Sequence, residues 1–213
     1  AARGAKVVVN DLGSARDGSG RGPEAAERVV AEIEAAGGEA VADGADVTDE
    51  AAVAAMVERA LALWGRVDAL VVNAGILRDK TVAKMSVGDF RAVLDVHLVG
   101  SFVCCKAVWE TMRAQNYGRI LLTSSASGLF GNFGQANYAA AKAGMLGLMH
   151  SLHLEGRKHD IRCNTILPTA ATRMTEGLLP PDALKLLAPE TITPGVLYLL
   201  SERAPSRFAM SAG

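Results

Sequence analysis

The 213-residue sequence lacks an excess of charge of either sign: 22 Lys and Arg stand against 23 Asp and Glu, for a formal charge of −1 and a pI near 6.5. A nucleic-acid binder is expected to carry a basic footprint, and this chain has none. No uninterrupted apolar run approaches the roughly 20 residues of a membrane span. Cysteine is scarce. Cys104, Cys105 and Cys163 form neither a C-x-x-C pair nor a Cys/His cluster, which argues against a zinc site or disulfide framework and for a reducing compartment. His150, His153 and His159 read as helix-surface residues, so no metal is expected. There is no initiator Met and no signal peptide; the chain opens on Ala1-Ala2-Arg3-Gly4, like a helix end running into a strand, so targeting is not legible. Half of the residues are apolar, which excludes general disorder, and the length suits one large domain with a real core.

Short apolar runs alternate with helical periodicity, the pattern of a doubly wound, Rossmann-like parallel α/β sheet in a single domain over residues 1–213. Strands are expected at Lys6–Asn10, Glu39–Ala42, Ala69–Val72, Arg119–Thr123 and Ile161–Ile166. Helices are expected at Pro23–Ala36, Asp49–Trp64, Ser86–Ala114 and Asn137–Glu155, with looser helical pieces at Asp182–Leu187 and Pro194–Leu200. Ligands of such sheets lie beyond the carboxyl ends of the strands, where Asp11, Asp46, Asn73, Ser125 and Pro168 all fall.

Tyr138 and Lys142 are spaced i, i+4 and share a helix face. A phenol is a poor base at neutral pH, and a nearby ammonium favours its ionised form. Ser125 ends a strand 13 residues earlier, so its hydroxyl can return to that helix and donate to a carbonyl oxygen while the phenol moves the proton. The bland alternative is a packed Tyr, a surface Lys and loop serines bonding their own backbone. Asn73-Ala74-Gly75 gives a flat ligand access to backbone, with the Asn amide bonding a neighbouring strand, although turn chemistry explains it equally well. Asp46-Val47 can hold an adenine amino group or simply cap a helix. Asp11 is placed to accept from an adenosine ribose and to repel a 2′-phosphate, favouring NAD over NADP, with Arg16 as the contrary sign. Gly18-x-Gly20-x-Gly22 has the wrong spacing for a dinucleotide fingerprint and is followed by Glu24 and Glu27; it reads as a flexible surface loop. His97 reads as a core or interface histidine, with a proton-relay role open to it.

Taken in order, Asp11, Asp46-Val47, Asn73-Ala74-Gly75, Ser125, Tyr138-x-x-x-Lys142, Asn164 and Pro168 resemble the short-chain dehydrogenase/reductase family over essentially the whole chain. A narrower likeness is to the (3R)-hydroxyacyl-CoA dehydrogenase modules of multifunctional β-oxidation enzymes. It rests on Val9–Gly13, Ala74–Asp79, Thr123–Gly128, Gly131–Tyr138, Glu155–Lys158 and Arg173-Met174-Thr175. The resemblance implies an NAD-dependent oxidoreductase interconverting 3-hydroxyacyl-CoA and 3-oxoacyl-CoA. Tyr138 is then the acid/base, Lys142 holds the nicotinamide ribose and lowers the Tyr pKa, Ser125 polarises the substrate oxygen, Asp11 binds ribose and Asp46 adenine. It further implies a homodimer or homotetramer built on the helices Ser86–Ala114 and Asn137–Glu155. The compartment is cytoplasmic for a bacterial protein and peroxisomal for a eukaryotic one.

The sequence departs from the family at His97, where Asn is usual, at Val72, which replaces the first Asn of Asn-Asn-Ala-Gly, and at Thr169. The family's first strand and glycine-rich pyrophosphate loop are absent from the sequence. A strand is therefore expected to be missing between Lys6–Asn10 and Ala69–Val72, with roughly 25–35 residues preceding Ala1 and a short final edge strand also missing. The alternatives are a reductase of another ketone or of a 3-oxoacyl-acyl-carrier-protein, and a non-catalytic scaffold. Substrate choice is expected to lie in the stretch Pro168–Glu190.

Overall fold

The computed structural model describes residues 1–170 and 187–213. Chain order runs β1 (Lys6–Asn10), α1 (Glu24–Ala35), β2 (Glu39–Asp43), α2 (Glu50–Trp64), β3 (Ala69–Val72), α3 (Val87–Leu94), a π-helical turn at Asp95–Val99, α4 (Gly100–Gln115), β4 (Gly118–Thr123), α5 (Ala126–Phe130), α6 (Ala136–Gly156), β5 (Ile161–Pro168), α7 (Thr193–Leu200) and β6 (Ala209–Ala212). Parallel strands flanked by helices form one domain, as the alternating pattern predicts.

Every strand pair is parallel: β1 with β2, and β3-β4-β5-β6 in that order. Among the described residues no ladder joins β1 to β3, so each keeps one unpaired edge, and Val71 of β3 is 46% exposed. The split falls where the sequence reading expects a missing strand. The other expectation is corrected: a final edge strand is present at Ala209–Ala212, pairing Thr165–Pro168. The expected piece Asp182–Leu187, up to residue 186, and Arg173-Met174-Thr175 lie outside the described residues.

Side chains alternate across the central strands, as β geometry requires. Ile120 and Leu122 point into the main core with Val53, Val57, Val103, Val108, Met112, Met145 and Met149, whereas Leu121 faces Ile166 and Leu199 on the other side. Cys104, Cys105 and Cys163 belong to the main core, and burial pushes the thiols of Cys104 and Cys163 up to about 11 and about 12. The helical stretch Val87–Gln115 is long and apolar enough to cross a membrane by length and composition, with mean hydropathy 1.5, yet one face of it is buried in this core. Its start is fixed by a capping box, in which Ser86 accepts from the Asp89 N–H at 3.0 Å and donates to the Asp89 carboxylate at 2.7 Å. Asp49 caps α2 by accepting from the N–H groups of Ala51 and Ala52.

The amino end of β4 carries a fully buried arginine. Arg119 donates to the carbonyls of Gly118 (2.8 Å), Asp160 (2.7 Å) and Ser201 (3.1 Å), and pairs with the Asp160 carboxylate at 3.1 Å. Its guanidinium also lies 4.1 Å over the Tyr117 ring. One side chain thus ties β4 to the turn before β5 and to the end of α7. Arg119→Ala strands three acceptors and is expected to cost about 3 kcal/mol in urea unfolding, with kcat per folded molecule unchanged because the site lies at the other end of the strand.

Candidate active site

The carboxyl ends of the strands gather the residues singled out in the sequence. Ser125 follows β4 and caps α5, its hydroxyl accepting from the Ser127 N–H at 3.2 Å. Tyr138 and Lys142 stand on successive turns of α6, with the Lys142 nitrogen 5.4 Å from the centre of the Tyr138 ring. α5 lies flush on α6 because Gly128 has no side chain: a Cβ there would stand 2.8 Å from the Ala143 nitrogen. The Ser124 hydroxyl donates to the Lys142 carbonyl at 2.9 Å and completes the seam. Ser125 lies at the Tyr138 phenol, whose ionised form it favours, so the three groups come together.

The electrostatics differ from the expectation. Lys142 is buried and directs its ammonium to the Thr123 carbonyl, not to the phenol oxygen. Burial lowers its pKa to about 7. Burial likewise pushes the Tyr138 phenol above its ordinary value; the Ser125 hydrogen bond pulls it down, and the Asp79 carboxylate pushes it further up. Desolvation is thus the largest influence on both groups.

His97 lies within the π-helical turn, 1% exposed, its ring edge-on to Tyr138 at 5.1 Å and 87°. Nε2 is 2.8 Å from the Ile76 carbonyl and 3.1 Å from the Ile76 N–H, whereas Nδ1 has no partner among the described residues. Burial, and then the Lys142 charge, lower its pKa to about 3, so the ring is neutral. It occupies the space of an absent side chain: a Cβ on Gly75 would strike Cε1, with both ring nitrogens at 3.0 Å.

Asn73, Ala74 and Gly75 are exposed at the end of β3. Among the described residues the Asn73 amide makes no hydrogen bond to a neighbouring strand. Asp11 follows β1, one carboxylate oxygen accepting from the Gly13 N–H at 2.7 Å and the other unengaged among the described residues. Asp46 accepts from Thr48 (backbone 3.0 Å, hydroxyl 2.7 Å) and from Arg21 (3.0 Å), which hold its carboxyl below the usual range. The Val47 side chain goes to the core, where it fills the space beside Gly100. Pro168 ends β5, and Asn164 is buried in a structural role, donating to the Pro205 carbonyl (2.8 Å) and accepting from the Phe208 N–H (3.0 Å).

The glycine-rich segment is a surface loop, as expected, and it is tethered at two points. The Arg16 carbonyl accepts from the Leu77 N–H at 2.8 Å, the Asp17 carbonyl accepts from Arg78 at 3.0 Å, and Gly18 packs on Ile76. Sequence reasoning missed Asp79, Gln135 and Asn137, which brace the start of α6.

Two substitutions test this geometry. Gly75→Ala is expected to cost about 1–3 kcal/mol in urea unfolding, and much less in a His97→Ala background; equal costs would mean that the ring is not the obstacle. The Lys142 pKa of about 7 lies below its ordinary 10.5, so the cost of burying its charge is full below about pH 7 and fades as pH rises toward 10.5. The Tm of wild type should accordingly gain on that of Lys142→Met between about pH 7 and 10.

Residues 2–181 match the short chain dehydrogenase family. The chain is 54% identical over 202 residues to the peroxisomal multifunctional enzyme type 2 of Drosophila melanogaster, covering 95% of this chain and 33% of that protein. It is 51% identical over 216 residues to the peroxisomal hydratase-dehydrogenase-epimerase of Saccharomyces cerevisiae, covering 100% and 24%. It thus spans a third or less of the length of these multifunctional relatives. A short-chain type dehydrogenase/reductase of Mycobacterium tuberculosis is 52% identical over 202 residues, covering 95% and 71%. A short chain dehydrogenase crystal structure from Mycobacterium avium superposes with a TM-score of 0.85 at 42% identity, covering 100% and 75%.

Proposed function

The chain belongs to the short chain dehydrogenase family and is an oxidoreductase, and on that premise we propose that it interconverts (3R)-3-hydroxyacyl-CoA and 3-oxoacyl-CoA with NAD. The observation that carries the reading is the convergence of Ser125, Tyr138 and Lys142 beside the open Asn73–Gly75 backbone. The acyl-CoA substrate is supported by identities above 50% to peroxisomal multifunctional enzymes.

The residues present fit a nicotinamide dinucleotide. Asp11 keeps an oxygen for a ribose hydroxyl, and the exposed backbone at Asn73, Ala74 and Gly75 admits a flat ring. Asp46 and the Val47 backbone would hold the adenine, Lys142 the nicotinamide ribose, and Pro168 would border the nicotinamide. When bound, the cofactor exchanges a hydride with substrate C3.

Ser125 donates to the oxygen on C3, and Tyr138 takes that hydroxyl's proton during oxidation and returns it during reduction. Lys142, titrating near neutrality, exchanges protons readily and in its charged form favours the phenolate. His97 stands edge-on to the Tyr138 ring as a neutral imidazole, because burial and the Lys142 charge lower its pKa to about 3. The apolar side chains exposed along α4 and α6 and the π turn (Val99, Phe102 and Leu154) support a homo-oligomer. Relatives named as peroxisomal favour that compartment for a eukaryotic chain.

The full-length protein should oxidise (3R)-hydroxyacyl-CoA with NAD in preference to the (3S) isomer and to NADP. Tyr138→Phe should lower kcat by at least about 10²-fold while leaving Tm unchanged. No turnover of the (3R) thioester would sink the substrate, and a wild-type rate in Tyr138→Phe would remove that residue from the chemistry.

A further inference from the structure

Three consecutive residues outside the catalytic trio are laced to the residues that lead into Tyr138. The Arg78 carbonyl accepts from the Asn137 amide at 3.0 Å, the Asp79 carboxylate accepts from the Gln135 amide at 2.8 Å, and the Lys80 N–H donates to the Gly134 carbonyl at 2.8 Å. Gln135 is buried and is the N-cap residue of α6. Its NH2 must face Asp79, since a carboxylate only accepts, and its oxygen therefore takes the Ser127 hydroxyl and the Asn132 amide, both at 3.1 Å. Ser127 in turn donates its N–H to the Ser125 hydroxyl. Hydrogen bonds thus run from Asp79 through Gln135 and Ser127 to Ser125, while the Gln135 backbone begins the helix that presents Tyr138.

The charge of Asp79 is left uncompensated. Its two cationic neighbours in sequence both turn to Asp89, Lys80 at 2.8 Å and Arg78 at 3.9 Å, and Asp79 forms no ion pair among the described residues. The other groups facing Tyr138 are Lys142 from the same helix, neutral His97 from the π turn and the Ser125 hydroxyl from α5.

We propose that Gln135, anchored by Asp79, is a positioning residue that fixes the separation of the Ser125 and Tyr138 hydroxyls. This rests on the reading of Ser125 and Tyr138 as the catalytic hydroxyls. Asp79→Asn keeps an oxygen for Gln135 and removes only the charge. Gln135→Leu removes the link between α5 and α6.

The test uses the full-length enzyme oxidising its hydroxyacyl substrate, with Tyr138→Phe in the same assay. In Asp79→Asn, which keeps the acceptor, kcat should stay within about twofold of wild type, whereas Asp79→Ala should lower it about 10-fold with KM unchanged. In Gln135→Leu, kcat should fall about 10–100-fold with the midpoint of the pH profile unmoved, and Gln135→Glu provides a second variant should the leucine fail to fold. Wild-type kcat in Asp79→Ala or in a folded Gln135 variant overturns the proposal. Those results beside an inactive Tyr138→Phe refute the positioning pair alone, whereas an active Tyr138→Phe refutes the catalytic reading beneath it.

Discussion

The site depends on a steric exchange between a glycine and a histidine. Because residue 75 has no Cβ, the His97 ring can stand against its backbone and reach Ile76, and from there its edge meets the Tyr138 ring. The π-helical turn Asp95–Val99 adds a residue to the helical repeat at this point and carries the imidazole. The same crowding excludes water, and desolvation becomes the largest influence on His97, Lys142 and Tyr138 alike. Two of these shifts favour the uncharged base and one favours the protonated phenol.

The two ends of the sheet use charge in opposite ways. At the amino end, buried Arg119 donates four hydrogen bonds, to three carbonyls and a carboxylate. At the carboxyl end, polar groups are left partly unengaged: one Asp11 oxygen, the Asn73 amide and the exposed backbone that follows it. A fully bonded polar group contributes to stability, and an incompletely bonded one is available for binding.

Much of this was legible in the sequence, because periodicity reports which face is buried. The bounds of β3 and the start of α2 follow directly from apolar runs and the Asp49 cap, and the trio Ser125, Tyr138 and Lys142 follows from strand-end placement and i, i+4 spacing. What was missed has no local signature. α5 is one short five-residue turn capped by Ser125, and β6 (Ala-Met-Ser-Ala) contains no β-branched residue and becomes a strand only by pairing with β5. The π turn leaves the flanking helical pattern intact. Gln135 and Asp79 are 56 residues apart, and only the folded chain reveals that the amide needs the carboxylate.

Asp11 and the catalytic trio stand on different ladders. The Asp11 carboxylate follows β1, whereas Ser125 follows β4 and Tyr138 and Lys142 stand on α6; the described links between these parts include the Lys106–Glu50 ion pair of α4 with α2 and the bonds that the Arg16 and Asp17 carbonyls accept from Leu77 and Arg78. A ligand that touches both Asp11 and the trio would therefore bridge two hydrogen-bonded sheets, and its affinity would report on both at once.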